Sequence, residues 1–187
     1  MELSNKLVIL TAVILSTSMM LSIPAYLTQS ALAQADGAVT GLSAPSEVQT
    51  FRSAFNTFVN SEPLGYGVYD EKDSNTFSPG EEIILYIEPV GFEYGTSNEE
   101  GDDSLYTINF SADFVISDSD GNVLTGQQGL PVSEIISHHQ NKEVFIPFTI
   151  SQTTPFPAGD YVITYTIHDN NSENRFDIVK EITIAED

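Results

Sequence analysis

The chain predicts an all-β fold, an antiparallel β-sandwich of seven to eight strands with a short amphipathic helix on its N-terminal side. Three observations carry that prediction. From Leu64 onward apolar and polar residues alternate with a period of two. Gly, Pro, Asn and Asp punctuate every gap between the alternating runs. No helical pattern separates those runs, which argues against a parallel sheet with crossover helices.

Taken in order, the elements begin with a leader. Leu7–Leu15 is an apolar run behind a short segment whose basic residue is Lys6, and Ala31-Leu32-Ala33 fits a small-residue cleavage site that leaves Gln34 first. Residues 1–33 therefore read as a secretory signal peptide. A second reading stays open: Leu7–Leu27 has the length of an uncleaved membrane anchor, although Ser16, Thr17, Ser18, Ser22 and Pro24 dilute its apolar character. Residues 34–46 are small and polar and read as a flexible linker. Residues 47–187 are one domain's worth of chain, large enough to bury a core without staples.

Within that domain Val48, Phe51, Phe55, Phe58 and Val59 recur at spacings of three and four, and Ser46-Glu47-Val48-Gln49 has the form of a capping box. This predicts a helix from Glu47 to Asn60. Strands are predicted at Tyr66–Asp70, Glu82–Val90, Leu105–Ser117, Asn122–Thr125, Glu143–Ile150, Asp160–His168 and Arg175–Ile184, with a weaker segment at Val132–Ser137. Asn109 and Asp113 inside the long third run suggest a bend that carries the chain from one sheet to the other. One phrase is written twice, FSPGEEIILYIEP from Phe77 and FPAGDYVITYTIH from Phe156. Each copy places a Phe before a Gly-containing turn and runs an alternating strand away from it. The first is apolar on both faces and reads as a covered, central strand; the second keeps Tyr161, Ile163, Tyr165 and Ile167 on one face only.

Charge and composition remove several function classes. There are 27 acids against 6 Lys and Arg, a net charge of −21, and losing Glu2 and Lys6 with the leader leaves it unchanged. Such a surface repels nucleic acid. It suits solubility, and it also attracts divalent cations or basic partners. With no Cys, the protein lacks disulfides, thiolate zinc sites and blue-copper ligation. Met1, Met19 and Met20 all lie in the leader, so a Met-rich copper site is excluded from residues 34–187.

Candidate sites are few. Asp118-Ser119-Asp120-Gly121 resembles a calcium loop only superficially, since Ile116 stands where another acid is needed, and it reads as a hairpin turn. Glu99, Glu100, Asp102 and Asp103 crowd four carboxylates into one loop near Glu93, which makes them the calcium candidates; the plainer reading is a solvated loop. Residues 169–174 are polar and suit a hairpin loop. His168 ends a strand beside Asp169, within reach of an orienting hydrogen bond, and reads as a structural edge residue rather than a catalytic base. No nucleophile elbow, phosphate loop or H-E-x-x-H occurs. Asn109 and Asn170 head N-x-S sequons, glycosylation acceptors in a source that modifies exported proteins. Tyr66 and Tyr69 flank a Gly, and Phe92 and Tyr94 follow the first copy of the repeated phrase; these four are the candidate partner-binding residues, with core filling as the alternative.

The runs Gly65-Tyr66-Gly67-Val68-Tyr69, Phe77-Ser78-Pro79-Gly80-Glu81, Tyr86-Ile87-Glu88-Pro89, Asp118-Ser119-Asp120-Gly121 and Pro157-Ala158-Gly159-Asp160-Tyr161 leading to Ile167-His168-Asp169 resemble exported immunoglobulin-like β-sandwich proteins of uncharacterised families in bacterial and archaeal cell envelopes. The likeness spans residues 64–184 and consists of turn and strand signatures. It implies an immunoglobulin-like fold and an address that is secreted or at the cell surface, and it implies no catalytic residues. The expectation is an exported non-catalytic cell-envelope or extracellular module that binds a protein or a surface glycan, with membrane contact only if the N-terminal segment is uncleaved. A calcium-stabilised structural or adhesion domain is the second reading, and an enzyme of unknown type the third.

Overall fold

The structure, a computed structural model, describes residues 50–97 and 105–186. The leader, the linker, residues 47–49 of the expected helix and the four calcium-candidate carboxylates Glu99, Glu100, Asp102 and Asp103 lie outside the described residues. Among the described residues the secondary structure is all β: β1 Arg52–Val59, β2 Thr76–Phe77, β3 Ile83–Val90, β4 Gly95–Ser97, β5 Leu105–Asp118, β6 Val123–Ser137, β7 Ile146–Ile150, β8 Gly159–Asp169 and β9 Arg175–Ile184. No helix there is long and apolar enough to cross a membrane.

The strands form two sheets. One runs β1-β3-β7; the other runs β2-β9-β8-β5, with β4 and β6 also hydrogen-bonded to β5. Every pairing is antiparallel except β2 with β9. Because β6 pairs with β5 from Tyr106 to Ser117, β8 and β4 divide the opposite edge of β5, β8 taking Phe110–Asp118 and β4 taking Leu105–Thr107.

Period-two alternation explains which side chains meet between the sheets. Ile108, Phe110, Ala112, Phe114 and Ile116 of β5 are buried, as are Tyr161, Ile163, Tyr165 and Ile167 of β8, while Val162, Thr164, Thr166 and His168 are half-exposed. From the smaller sheet Phe148 packs edge-on against Phe114 and Tyr165, with ring centroids 5.9 and 5.2 Å away. Full burial of each such side chain stabilises the fold by roughly 1.5–3 kcal/mol. β3 is covered on both faces as expected. Ile83, Leu85 and Ile87 join the main core, whereas Ile84 and Tyr86 join a second cluster with Val59, Tyr69 and Phe145 on the outer side of the small sheet.

The repeated phrase starts the central strand of the small sheet and an interior strand of the large one. Gly80 takes φ 82°, a left-handed conformation that suits Gly. Gln152, in the loop between β7 and β8, joins the two copies. Its Oε1 accepts from Gly80 N at 3.2 Å and Phe156 N at 2.9 Å, and its Nε2 donates to Glu81 O at 2.8 Å.

Four expectations need correction. Arg52–Val59 is strand β1 rather than part of a helix over Glu47–Asn60. Its register against β3 shifts between Ser53 and Phe55, leaving Ala54 as an extra, bulged residue. The bulge returns Phe51 and Phe58, seven apart, to the same core face, a spacing that imitates a helix. Tyr66–Asp70 is not a strand: Gly65 and Val68 form an isolated bridge around a tight turn, and Asp70 O accepts from Asn60 N at 2.9 Å. The expected strands Asn122–Thr125 and Val132–Ser137 are, from Val123 on, the ends of one strand, β6, whose ladder with β5 continues past Gly126, Gly129 and Pro131 by absorbing three register shifts. β5 stays in one sheet throughout, its ladder with β8 running from Phe110 to Asp118 without a shift.

Candidate interaction surface

On the outer side of the small sheet a short turn is held over an aromatic cluster. Leu64 N donates to Val68 O at 2.9 Å and Val68 N donates to Gly65 O at 3.0 Å, so residues 64–68 close into a tight tongue. Gly67 sits at φ 68°, where a side chain would be strained. Its N–H donates to Tyr86 Oη at 2.7 Å, and that hydroxyl donates to Glu88 Oε1 at 2.7 Å. The Tyr86 ring is the hub of the cluster, with centroids 4.3 Å from Tyr69, 5.7 Å from Phe145 and 6.3 Å from Phe55.

Above this fixed base the apolar surface continues into solvent. Leu64 is 89 % exposed, Val68 53 %, Tyr66 41 % and Phe55 37 %. Three carboxylates from different segments border it: Glu88 on β3, which accepts from the Tyr86 hydroxyl, Glu71 after the tongue, which accepts from Thr57 Oγ1, and Glu143 before β7, whose charge acts on the Tyr66 phenol. The charge of Glu88, with lesser help from burial and Glu143, pushes the Tyr66 phenol above its ordinary value. Burial first, then Glu71 and Glu88, does the same to Tyr69. Burial pushes Tyr86 up to about 12. Among the described residues no ion pair engages Glu71, Glu88 or Glu143; nearby Lys72 is committed to Glu81 at 2.8 Å and lies over the Phe77 ring.

The four candidate partner-binding residues divide between two places. Tyr66 and Tyr69 belong to this surface. Phe92 and Tyr94 pack against the main core elsewhere, Phe92 edge-on to Phe110 at 5.5 Å, and Tyr94 donates its hydroxyl to Asn141 O at 2.8 Å. Together they line an end cleft of about 640 Å³ with Phe51, Glu93 and Lys142. The sequence does not mark Phe55, whose spacing imitates a helix, or Tyr86 and Glu88, which lie on a strand apolar on both faces. The i, i+2 pair Tyr86 and Glu88 on one strand face was the available signal.

Asp118 forms the expected turn: its carboxylate accepts from the side chain and backbone N–H of Asn122 and from Asp120 N, and these bonds hold it below the usual range. The two sequon asparagines touch each other. Asn170 Nδ2 donates to Asn109 Oδ1 at 2.6 Å, while Ser111 of the other sequon donates its hydroxyl to Asn170 Oδ1 at 2.8 Å. The partner of His168 is Asp113 across the ladder, Nε2 to Oδ2 3.0 Å, rather than the adjacent Asp169. Asp169 is buried and accepts from Glu93 N, Asn171 N and the Ser172 hydroxyl, tying the β8–β9 hairpin to the loop after β3. Among the described residues no three His, Asp or Glu side chains converge to hold a metal ion. No protein-family model matches the chain, and no curated protein matches it.

Proposed function

We propose that the chain is an exported, non-catalytic module of the cell envelope or extracellular space, an immunoglobulin-like β-sandwich that binds another protein or a surface glycan through the outer face of its small sheet. The leader read from residues 1–33 supports the address. The observation that carries the binding reading is the tongue: Leu64, Tyr66 and Val68 are exposed, yet their backbone is pinned through Gly67 to Tyr86 and Glu88. Ordering a loop costs conformational entropy, and an ordered apolar projection gives up the flexibility that loops ordinarily keep. A contact surface needs both order and exposure.

The test uses the fluorescently labelled full chain applied to intact cells of the source. Retention that falls at least tenfold in the Leu64→Ser/Tyr66→Ala double variant, with melting unchanged, supports the reading. Equal retention of wild type and variant would move the contact elsewhere, the Phe92 and Tyr94 cleft being next to mutate.

A further inference from the structure

We infer that the occupant of this face is a basic segment of another protein, whose lysine or arginine side chains lie against the Tyr66 and Phe55 rings with their charged heads beside Glu71, Glu88 and Glu143. The inference rests on the binding reading above and names the partner's chemistry. It follows from what the surface still has to offer. Three donors nearby are already used on its own acceptors: Tyr86 Oη donates to Glu88, Thr57 Oγ1 to Glu71 Oε1 at 2.8 Å, and Gly67 N to Tyr86. The charge of Glu88 also acts on the Tyr66 phenol. What remains outward is mostly carboxylate oxygen and the negative faces of aromatic rings, with the Tyr69 phenol beside them, an acceptor-rich surface with no ion pair of its own among the described residues.

A sugar presents hydroxyls that need donors as well as acceptors, so this rim suits it poorly. An ammonium or guanidinium is a donor only and is attracted by both carboxylates and ring faces. The bonds to Glu88 and Glu71 orient those carboxylates before any partner arrives, which lowers the entropy lost on binding. A second copy of the chain would bring Glu71, Glu88 and Glu143 against themselves in a two-fold contact and add another net charge of −21. The same net charge steers a basic partner in.

The test measures binding of the full chain, at physiological salt, to a fluorescein-labelled peptide of alternating lysine and serine, to its lysine-acetylated form, and to neutral immobilised oligosaccharides. Expected are binding of the lysine peptide, loss on acetylation, and weakening of about fivefold or more by Tyr66→Ala and by Glu88→Gln. Glu143→Gln, at an exposed position, should weaken binding too and keeps the test readable if Glu88→Gln fails to fold. Glu134→Gln and Glu181→Gln on the large sheet remove the same charge and should change affinity by less than about 1.5-fold, as contact-free rim charges do. Equal weakening by these controls would show attraction to bulk charge and overturn the proposal. Oligosaccharide binding that depends on Tyr66, without peptide binding, would overturn the basic occupant while leaving the face as the contact surface. Binding of neither probe, with cell retention indifferent to Tyr66→Ala, would sink both.

Discussion

Tyr165 buries its hydroxyl between the sheets without a hydrogen-bond partner among the described residues, and burial pushes its pKa up. An unsatisfied buried hydroxyl costs on the order of 1 kcal/mol or more. Tyr165→Phe should therefore leave stability unchanged or raise it by about 1 kcal/mol, read from the midpoint of denaturant unfolding. Tyr86 behaves oppositely, because its hydroxyl is used twice; Tyr86→Phe should cost about 1–2 kcal/mol and loosen the tongue. Its pKa rises from 10.0 to about 12 on folding, so the neutral phenol is the form the fold holds. The associated stability is fully present below pH 10.0 and is lost as pH rises through about 12, a dependence that alkaline melts should show and that Tyr86→Phe should flatten. At this scale the sequence was half legible. Tyr66 and Tyr69 declared themselves by an aromatic body and a polar tip beside Gly67, but the importance of Tyr86 and Glu88 depends on a turn folding back across nineteen residues, which no local pattern encodes.

β1 shows how an element can be misread for a physical reason. A bulge adds one residue to a strand, so a period of two becomes, across the bulge, an odd spacing between same-face residues. Deleting Ala54 would restore uninterrupted alternation and turn Phe51 out of its place against Phe110 and Phe176, where its ring centroid lies 5.8 and 4.7 Å from theirs. The expected loss is about 3–5 kcal/mol, comparable to truncating a buried Phe, and thermal unfolding will measure it. In β6 the extra residues all fall on the outer strand, and Gly126 lies so close to β5 that a Cβ there would sit 2.6 Å from Phe114 O. Gly126→Ala should destabilise by about 1–3 kcal/mol, because the obstacle is backbone and cannot swing away. β5, β8 and β9 were legible because each repeats the alternation for ten residues or more, and β3 because it is a short apolar run bounded by turn residues; β2 and β4 were not, since two or three residues carry no period and exist as strands only through their partners Thr183–Ile184 and Leu105–Thr107.

For the whole molecule, the all-β class was legible from the period alone, while the partition into sheets was not, since the two copies of one phrase look alike and lie in different sheets. The proposed address predicts that a chain lacking residues 1–33 stays inside the cell, which fractionation and immunoblotting will show; export of the truncated chain would end that reading. Calcium binding by Glu99, Glu100, Asp102 and Asp103 predicts a higher Tm in calcium than in chelator, abolished by neutralising all four. The link that Gln152 makes between Gly80, Glu81 and Phe156 has a dynamic consequence. One amide clamps the first turn of β3 to the approach of β8, so the two sheets should open there as a single cooperative unit, and amide hydrogens at both places should exchange with one shared opening free energy. Replacing Gln152 with Leu, of similar bulk but without the amide, would let each end fray on its own clock.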